Sequence, residues 1–474
     1  MNKRITLFLG LWLAVISFGF SQNTTTTIYT LQDCIDITIE NNLDLKVKEL
    51  RAKSSEVNFK ENRNKILPSL NINYNLGINN GRSIDPFTNS FINQGLTFSN
   101  AGLNLDATIF NGFRIKNEIK QSRFNLQASE MEIEEAKQNL TLEVTLLYLQ
   151  ILNNKNVLKL SKARLKITKT QLKRLESQYK NGVGNPATFT DMQGQYTRDQ
   201  TGNITAANNL KTAVLNLVKL LNINVDSENS FENVFESTPL EKYQVSANDI
   251  YMDALENLAT FKSKQLRVDA AKTGIKIARA NYYPEVSLFG QLNTNYSSVA
   301  QLFTQTGTST VETGDFVSIS GQEHVVFRNQ AQFEGSKINY NDQFDNNLNS
   351  VIGVAVRVPL FNGFRAKNKI RIEKIQHEEA QVNLKQTKFV FKQSIYEAYN
   401  NMEASFKVYQ VLKNQVAAYE ESFRVNEVRF NNGISNIVEY ITSKNNMETS
   451  KLNLSQTKYT YLLRIKILDY YRGL

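Results

Sequence analysis

The chain carries one cysteine, one tryptophan, two histidines and six prolines in 474 residues. A lone cysteine, Cys34, excludes a disulfide framework and any four-cysteine metal site. His324 and His377 lie far apart and share no metal-ligand spacing, so neither a metal nor a cofactor is expected. Nucleophile elbows, phosphate-binding loops and dinucleotide fingerprints are also missing, which leaves no basis for an enzyme. Beyond the first twenty or so residues no run of about 18 apolar residues occurs, so no membrane-spanning helix is expected in the mature chain.

What is present is charged and helical. The formal charge is +10, but Lys and Arg are scattered along helical faces rather than gathered into a patch. This reads as a solvated surface, with no nucleic-acid partner expected. At the N-terminus, Lys3 and Arg4 precede an apolar stretch from Ile5 to Phe18 and a small-residue site near Gly19-Phe20-Ser21. That is the pattern of a cleaved signal peptide over residues 1–21, and it predicts export. Cys34 lies too far from the cleavage point to carry a lipid and is expected to face a helix core.

The main signal is a duplication. Phe110-Asn111-Gly112-Phe113-Arg114 recurs as Phe361-Asn362-Gly363-Phe364-Arg365, 251 residues later. A stretch free of glycine and proline follows each copy and ends at Asn181-Gly182 and at Asn432-Gly433, again 251 apart. Internal repeats of this kind define the architecture, here a first repeat over 22–235 and a second over 236–474. Each glycine-free stretch predicts a helix about 100 Å long. Four windows of 36 residues, Leu31–Ile66, Ala187–Asn222, Ser246–Asn281 and Ser435–Tyr470, predict half-length helices, two for each long one. Val144, Ile151, Leu158, Leu165, Leu172 and Tyr179 recur every seven residues. So do Ile395, Met402, Tyr409, Val416, Phe423 and Phe430, the seam of a left-handed coiled coil.

Four segments instead alternate with period two: Leu70–Leu76, Leu103–Ile109, the run from Val286, and Ile352–Val358. Pro68 and Pro284, 216 residues apart, end the helices before the two strand pairs. The difference between 251 and 216 is an insertion of 35 residues between the strands of the second pair, within 295–350. This stretch is polar and predicts a long loop, with His324 in solvent. One face apolar and one polar suits strands between lipid and a watery lumen. Four strands are too few to close a membrane barrel, and open edges in lipid leave backbone groups unpaired at several kcal/mol each. Strands must then be pooled among subunits, unless the chain is an exported coiled-coil scaffold or adhesin that uses its hairpins for assembly.

Taken together, the doubled Phe-Asn-Gly-Phe-Arg, the lead-ins at Pro68 and Pro284, and the turns Tyr179-Lys180-Asn181-Gly182 and Phe430-Asn431-Asn432-Gly433 resemble the TolC-like outer-membrane efflux proteins. The resemblance covers essentially the mature chain. It implies an α+β fold: a β-barrel in the outer membrane pooled from four strands per chain of a homotrimer, continuous with a periplasmic α-helical coiled-coil barrel. It also implies a passive exit duct of an efflux or type I secretion system. A periplasmic adaptor protein linked to an inner-membrane pump would dock at the helix-turn tips.

The residues carried over for the tip and adaptor docking are Gly182, Gly184, Asp191, Gly433 and Glu439. Asp191 and Glu439 match the acidic position of the family's turn; they read either as aperture acids or as solvated acids near a helix N-terminus. Thr442 stands where some members have a second acid, so a doubled acidic ring is not expected. Glycine-to-acid spacings of nine and six residues predict a longer first turn, with Gly184 and Pro186 in the extra residues. Phe110, Gly112, Phe113, Phe361, Gly363 and Phe364 are expected at the two strand-to-helix junctions, the glycines turning the chain and the phenylalanines either forming an aromatic belt at the periplasmic membrane surface or packing the junction, a structural role in both readings.

Overall fold

A computed structural model describes residues 28–85, 88–223, 230–232 and 240–474. The expected signal peptide, 1–21, lies outside the described residues. The strands are β1 (Ile28–Tyr29), β2 (Ser69–Asn79), β3 (Arg82–Ile84), β4 (Phe91–Asn93), β5 (Leu96–Asn111), β6 (Ser230–Phe231), β7 (Glu285–Ser297), β8 (Gln301–Ile319), β9 (Gln322–Lys337) and β10 (Asn349–Arg357). The helices are α1 (Leu31–Asn41), α2 (Leu43–Asn64), α3 (Arg114–Lys180), α4 (Pro186–Leu221), α5 (Ala247–Asn257), α6 (Ala259–Arg279), α7 (Tyr340–Asn346), α8 (Arg365–Asn431) and α9 (Ile437–Arg472).

Two compact units form. The first takes the described residues of Met1–Ser55, Leu126–Arg267 and Ala380–Leu474; the second takes Glu56–Asn125 and Val268–Glu379. Each unit draws on both halves of the sequence, and α3 and α8 contribute residues to both.

In the first unit, the two long helices are each 67 residues and α4 and α9 are each 36, as the spacing predicts. The other two 36-residue windows are broken. The chain turns extended at Asn42 and at Leu258, which are 216 residues apart. A local cap holds the first break and a tertiary contact the second. The Asn42 side chain accepts from the Leu45 N–H and starts α2, while Leu258 is fully buried and Gln138 Oε1 takes the Ala259 N–H. Neither break has a proline or glycine to mark it, so the sequence reads as continuous helix.

Packing in this unit follows the seven-residue seam. Val144, Ile151 and Leu217 form one core with Cys34; Ile395, Met402 and Leu258 form a second; Leu175, Met192, Phe423 and Tyr440 form a third. Tyr179 departs from the seam: it is exposed and stacks on Phe189 at 5.3 Å. Cys34 is fully buried, and burial pushes its thiol up to about 12, so it stays a neutral core group.

The second unit holds a four-stranded antiparallel sheet in the order β10-β7-β5-β2. These are the four expected strands, longer than their alternating cores. The 295–350 insertion is a correction, because it is ordered rather than looped. β8 and β9 make a hairpin of 19 and 16 residues, closed by Ser320 and Gly321 at φ +55° and +89°. His324 therefore sits on a strand. Helix α7 clamps the hairpin's base: the buried Gln343 side chain accepts from Ser297 N–H and donates to the Ser297 and Ile338 carbonyls. Ser, Gln, Asn and Gly lower strand propensity here, but the β-branched Thr and Val residues and the ladder pairing carry the hairpin.

Candidate functional site

The sheet has two unlike faces. Residue pairs such as Ile72 and Leu103, or Leu103 and Leu292, put Leu70, Ile72, Leu76, Leu105, Leu288, Ile352 and Val354 on one face. Ile72 is 81% exposed and Ile352 83%. The opposite face pairs Asn71 with Asn104 and Asn104 with Gln291, and adds Asn73, Asn75 and Asn293. Two close contacts keep that face smooth, with the Phe98 ring over Gly77 and the Phe289 ring over Gly353, where a Cβ would come within 2.7 and 2.5 Å. A contiguous exposed apolar face of this size marks a surface that meets something other than water. Among the described residues, the outer strands β2 and β10 each leave one edge unpaired.

At the strand-to-helix junctions the two copies share one local geometry. Gly112 and Phe113 have φ of +65° and +63°; Gly363 and Phe364 have +60° and +59°. This left-handed pair makes the turn from strand to helix at each junction, and a phenylalanine held there costs about 1–2 kcal/mol. Phe110 meets Phe113 edge-on at 5.3 Å and Phe361 meets Phe364 at 5.6 Å, both at 87°. Lys116 and Lys367 lie over the Phe113 and Phe364 rings. The junctions differ in two respects. β5 runs through Asn111, whereas β10 stops at Arg357, because Pro359 has no N–H for a ladder. Gly112 is packed, with a Cβ there falling 2.7 Å from Tyr283 Cβ, while Gly363 has nothing within 4 Å.

The tips correct the sequence reading. α3 ends at Lys180 and α4 begins at Pro186; α8 ends at Asn431 and α9 begins at Ile437. Both intervals hold five residues, so the first turn is not longer. Each closes with a glycine in the left-handed region. The Gly182 and Val183 N–H groups donate back to Tyr179 and Gln178, and those of Gly433 and Ile434 to Phe430 and Arg429. Gly184 is sterically required, since a Cβ would sit 2.6 Å from the Tyr179 nitrogen.

Glu439 lies in the first turn of α9. Its carboxylate accepts from Asn436 Nδ2 and Ser435 Oγ, while its N–H is capped by Asn436 Oδ1. Asp191 is six residues into α4, exposed, with no hydrogen bond or ion pair among the described residues. The 251-residue offset matches Glu439 to Thr188 and Asp191 to Thr442, so the two acids are not equivalent.

One polar centre was not foreseen. Asp199 of α4 is fully buried; it accepts from Arg164 Nε at 2.7 Å, Lys444 Nζ at 2.9 Å, Thr168 Oγ1 at 2.5 Å and Gln195 Nε2 at 2.7 Å. Glu448 lies 3.5 Å from Arg164 and 4.0 Å from Lys444. Burial pushes the Asp199 carboxyl up, but the Thr168 hydroxyl and the Lys444 and Arg164 charges outweigh it and hold it below the ordinary range. Burial dominates at Glu448, whose carboxyl is raised. The cluster joins α3, α4 and α9. It has no copy under the 251-residue offset, where Ser450 replaces Asp199 and Gln193 replaces Lys444. No group of three metal-ligating side chains occurs among the described residues. No helix among them is long and apolar enough to cross a membrane.

Comparison with known proteins agrees with this geometry. The outer membrane efflux protein family matches residues 34–222 and 250–468. The chain is 22% identical over 480 residues to outer membrane protein TolC of Salmonella enteritidis, covering 100% of this chain and 86% of that protein. It is 21% identical over 379 residues to toxin and drug export protein A of Aggregatibacter actinomycetemcomitans, covering 77% and 71%. Its fold is similar to the crystal structure of CusC, with a TM-score of 0.75, 15% identity and coverage of 94% and 92%. With the family matched over most of its length, the chain belongs to the outer membrane efflux proteins, as an outer-membrane channel and not an enzyme.

Proposed function

We propose that three copies of this chain pool their sheets into a twelve-stranded barrel, forming the exit duct of a tripartite efflux or type I secretion system. The two unpaired sheet edges carry this reading. Within the chain, β5 pairs β7 with Leu103 opposite Leu292. Moving β5 forward by 251 residues gives β10, and moving β7 back by 216 gives β2. The same pairing between copies then sets Val354 of one against Leu76 of the next. It removes both edges, as lipid requires.

The helices support the same closure. Gln121 donates to the Ala270 carbonyl and Arg267 pairs with Glu132, so α3 lies against α6. The equivalent surfaces, α8 and α2, keep apolar side chains in solvent: Ile375, Val382 and Phe389 on one, Leu50 and Val57 on the other. A neighbouring copy would cover them. Each repeat, 22–235 and 236–474, supplies one half of the protomer's share of barrel and tunnel. The leader at 1–21 directs export. Apolar faces meet outer-membrane lipid, and the helices extend into the periplasm.

Docking of a periplasmic adaptor, coupled to an inner-membrane pump, is assigned to the tips around Gly182, Gly184, Asp191, Gly433 and Glu439. Val183 and Ile434 stand exposed there. Glu439 is a capping acid first, and any aperture role for it or Asp191 is secondary.

The register is testable by disulfide trapping, because the only native cysteine is buried. Val354→Cys combined with Leu76→Cys should link copies into dimers and closed trimers when outer membranes are oxidised. A product that stays monomeric after complete oxidation would sink the pooled barrel.

A further inference from the structure

We propose that the pocket at the second strand-to-helix junction is an anion-binding subsite on the channel wall, taking a carboxylate or phosphate group of the exported molecule. This rests on reading the asparagine-rich face of the sheet as the lumen. The cavity has a volume of about 810 Å³ and is lined by Arg114, Arg357, Arg365 and Lys369, with Glu285 the one acid among its lining residues. Arg357 and Asn111 both pair with Glu285 in the ladder, so all three share the face of Gln291 and Asn293 rather than the apolar one.

These cations are under-compensated. Among the described residues Arg357 has neither hydrogen bond nor ion pair, even though Glu285 is its ladder partner. Within its own chain Arg365 donates only Nε, to the Asn362 carbonyl, which leaves the terminal nitrogens of its guanidinium fork without an in-chain partner. Arg114 donates one terminal nitrogen to Asn281, and its Nε is buried with no partner. Lys369 alone is neutralised, by Glu373 at 2.8 Å. A guanidinium fork binds carboxylate or phosphate through two parallel bonds, which is the chemistry left open here.

The duplication argues that the charge is not incidental. The pentapeptide is identical in both repeats, yet Arg357 and Lys369 correspond to Asp106 and Glu118 in the first. The architecture has been kept while two acids stand in one copy where two bases stand in the other. The left-handed Gly-Phe turn is the same in both copies and does not itself call for the reversal.

Planar bilayers containing the purified protein test this, with citrate as the probe added to one side. Wild type should conduct, and citrate should reduce the current. Arg357→Gln with Arg365→Gln should weaken the block by about tenfold for each arginine removed and shift ion selectivity towards cations. Arg357→Lys, which keeps the charge, should retain the selectivity. Equal block and equal selectivity in wild type and the double variant would overturn the subsite while leaving the channel reading intact. If the wild type opened no pore, the channel reading would fall and the subsite with it. A cargo site is blocked equally in phosphatidylcholine and in phosphatidylglycerol bilayers. Block confined to phosphatidylcholine would mean that lipid headgroups fill the pocket, and would overturn the cargo assignment.

Discussion

Asp199→Ala is expected to destabilise the helical unit by about 3–5 kcal/mol, because it leaves the buried Lys444 without its hydrogen-bonded carboxylate, with only Glu448 at 4.0 Å. Lys444 is 1% exposed in its side chain and Asp199 0%, so solvent does not soften the loss. Thermal unfolding of the detergent-purified protein, followed by helical circular dichroism, measures it. The double replacement Asp199→Leu with Lys444→Met should recover much of the loss, since removing both charges avoids the desolvation cost. If the double variant were no more stable than Asp199→Ala, ion pairing would not be what holds α4 to α9.

Acid should erase the difference. The Asp199 carboxyl is depressed in the fold, so its contribution is present above the ordinary aspartate range and is lost as pH falls through its folded value. Wild type and Asp199→Ala should therefore converge in stability at low pH. Glu448 works in the opposite direction: its raised carboxyl favours the fold in acid, and that contribution fades as pH rises through the raised value. A gap that stayed constant down to strong acid would exclude Asp199 as the titrating group.

The second large effect separates the two junctions. Gly112→Ala puts a Cβ 2.7 Å from Tyr283 Cβ and 3.0 Å from the Ala280 carbonyl oxygen. Added to the cost of about 1–2 kcal/mol for a left-handed non-glycine residue, this should bring the loss to at least about 3 kcal/mol in the protomer itself. Gly363→Ala meets nothing within 4 Å in its own chain, so the protomer should lose only the left-handed cost. In the proposed ring, the counterpart of the 280–283 segment is the 64–67 segment of the next copy. Gly363→Ala should then lower trimer yield far more than it lowers protomer stability. Gel migration without heating, set beside protomer unfolding, reads both quantities. Equal behaviour of the two variants would show that Gly363 faces no neighbour.

Much of the layout was legible because it depends on local periodicity. The 67-residue helices, the strand alternation around Leu70, Leu103, Val286 and Ile352, and the glycine-closed turns at Gly182 and Gly433 each follow from residues close in sequence. Leu258 breaks its helix through burial and the distant Gln138 contact, the Asn42 break rests on a short local cap, and the 301–337 hairpin is set by ladder pairing that its polar composition does not announce. Counting from glycine to acid made the first turn seem longer, but helix α4 starts at Pro186 with Asn185 as its cap, and Asp191 is simply farther along. The Asp199 cluster gave no signal at all. Arg164, Asp199 and Lys444 come from three helices, and the repeat that organises the rest of the chain does not duplicate them.

By itself, then, the sequence determined the long helices, the four sheet strands, their doubling and the family resemblance, since periodicity and turn chemistry are short-range properties. Only the tertiary structure decided which residues meet across helices and which surfaces stay uncovered. Those include the buried charges at Asp199, the packed Gly112 against the open Gly363, and the basic pocket at Arg357. Such pairings depend on burial and on long-range contact, and neither is written in the spacing of residues along one helix or strand.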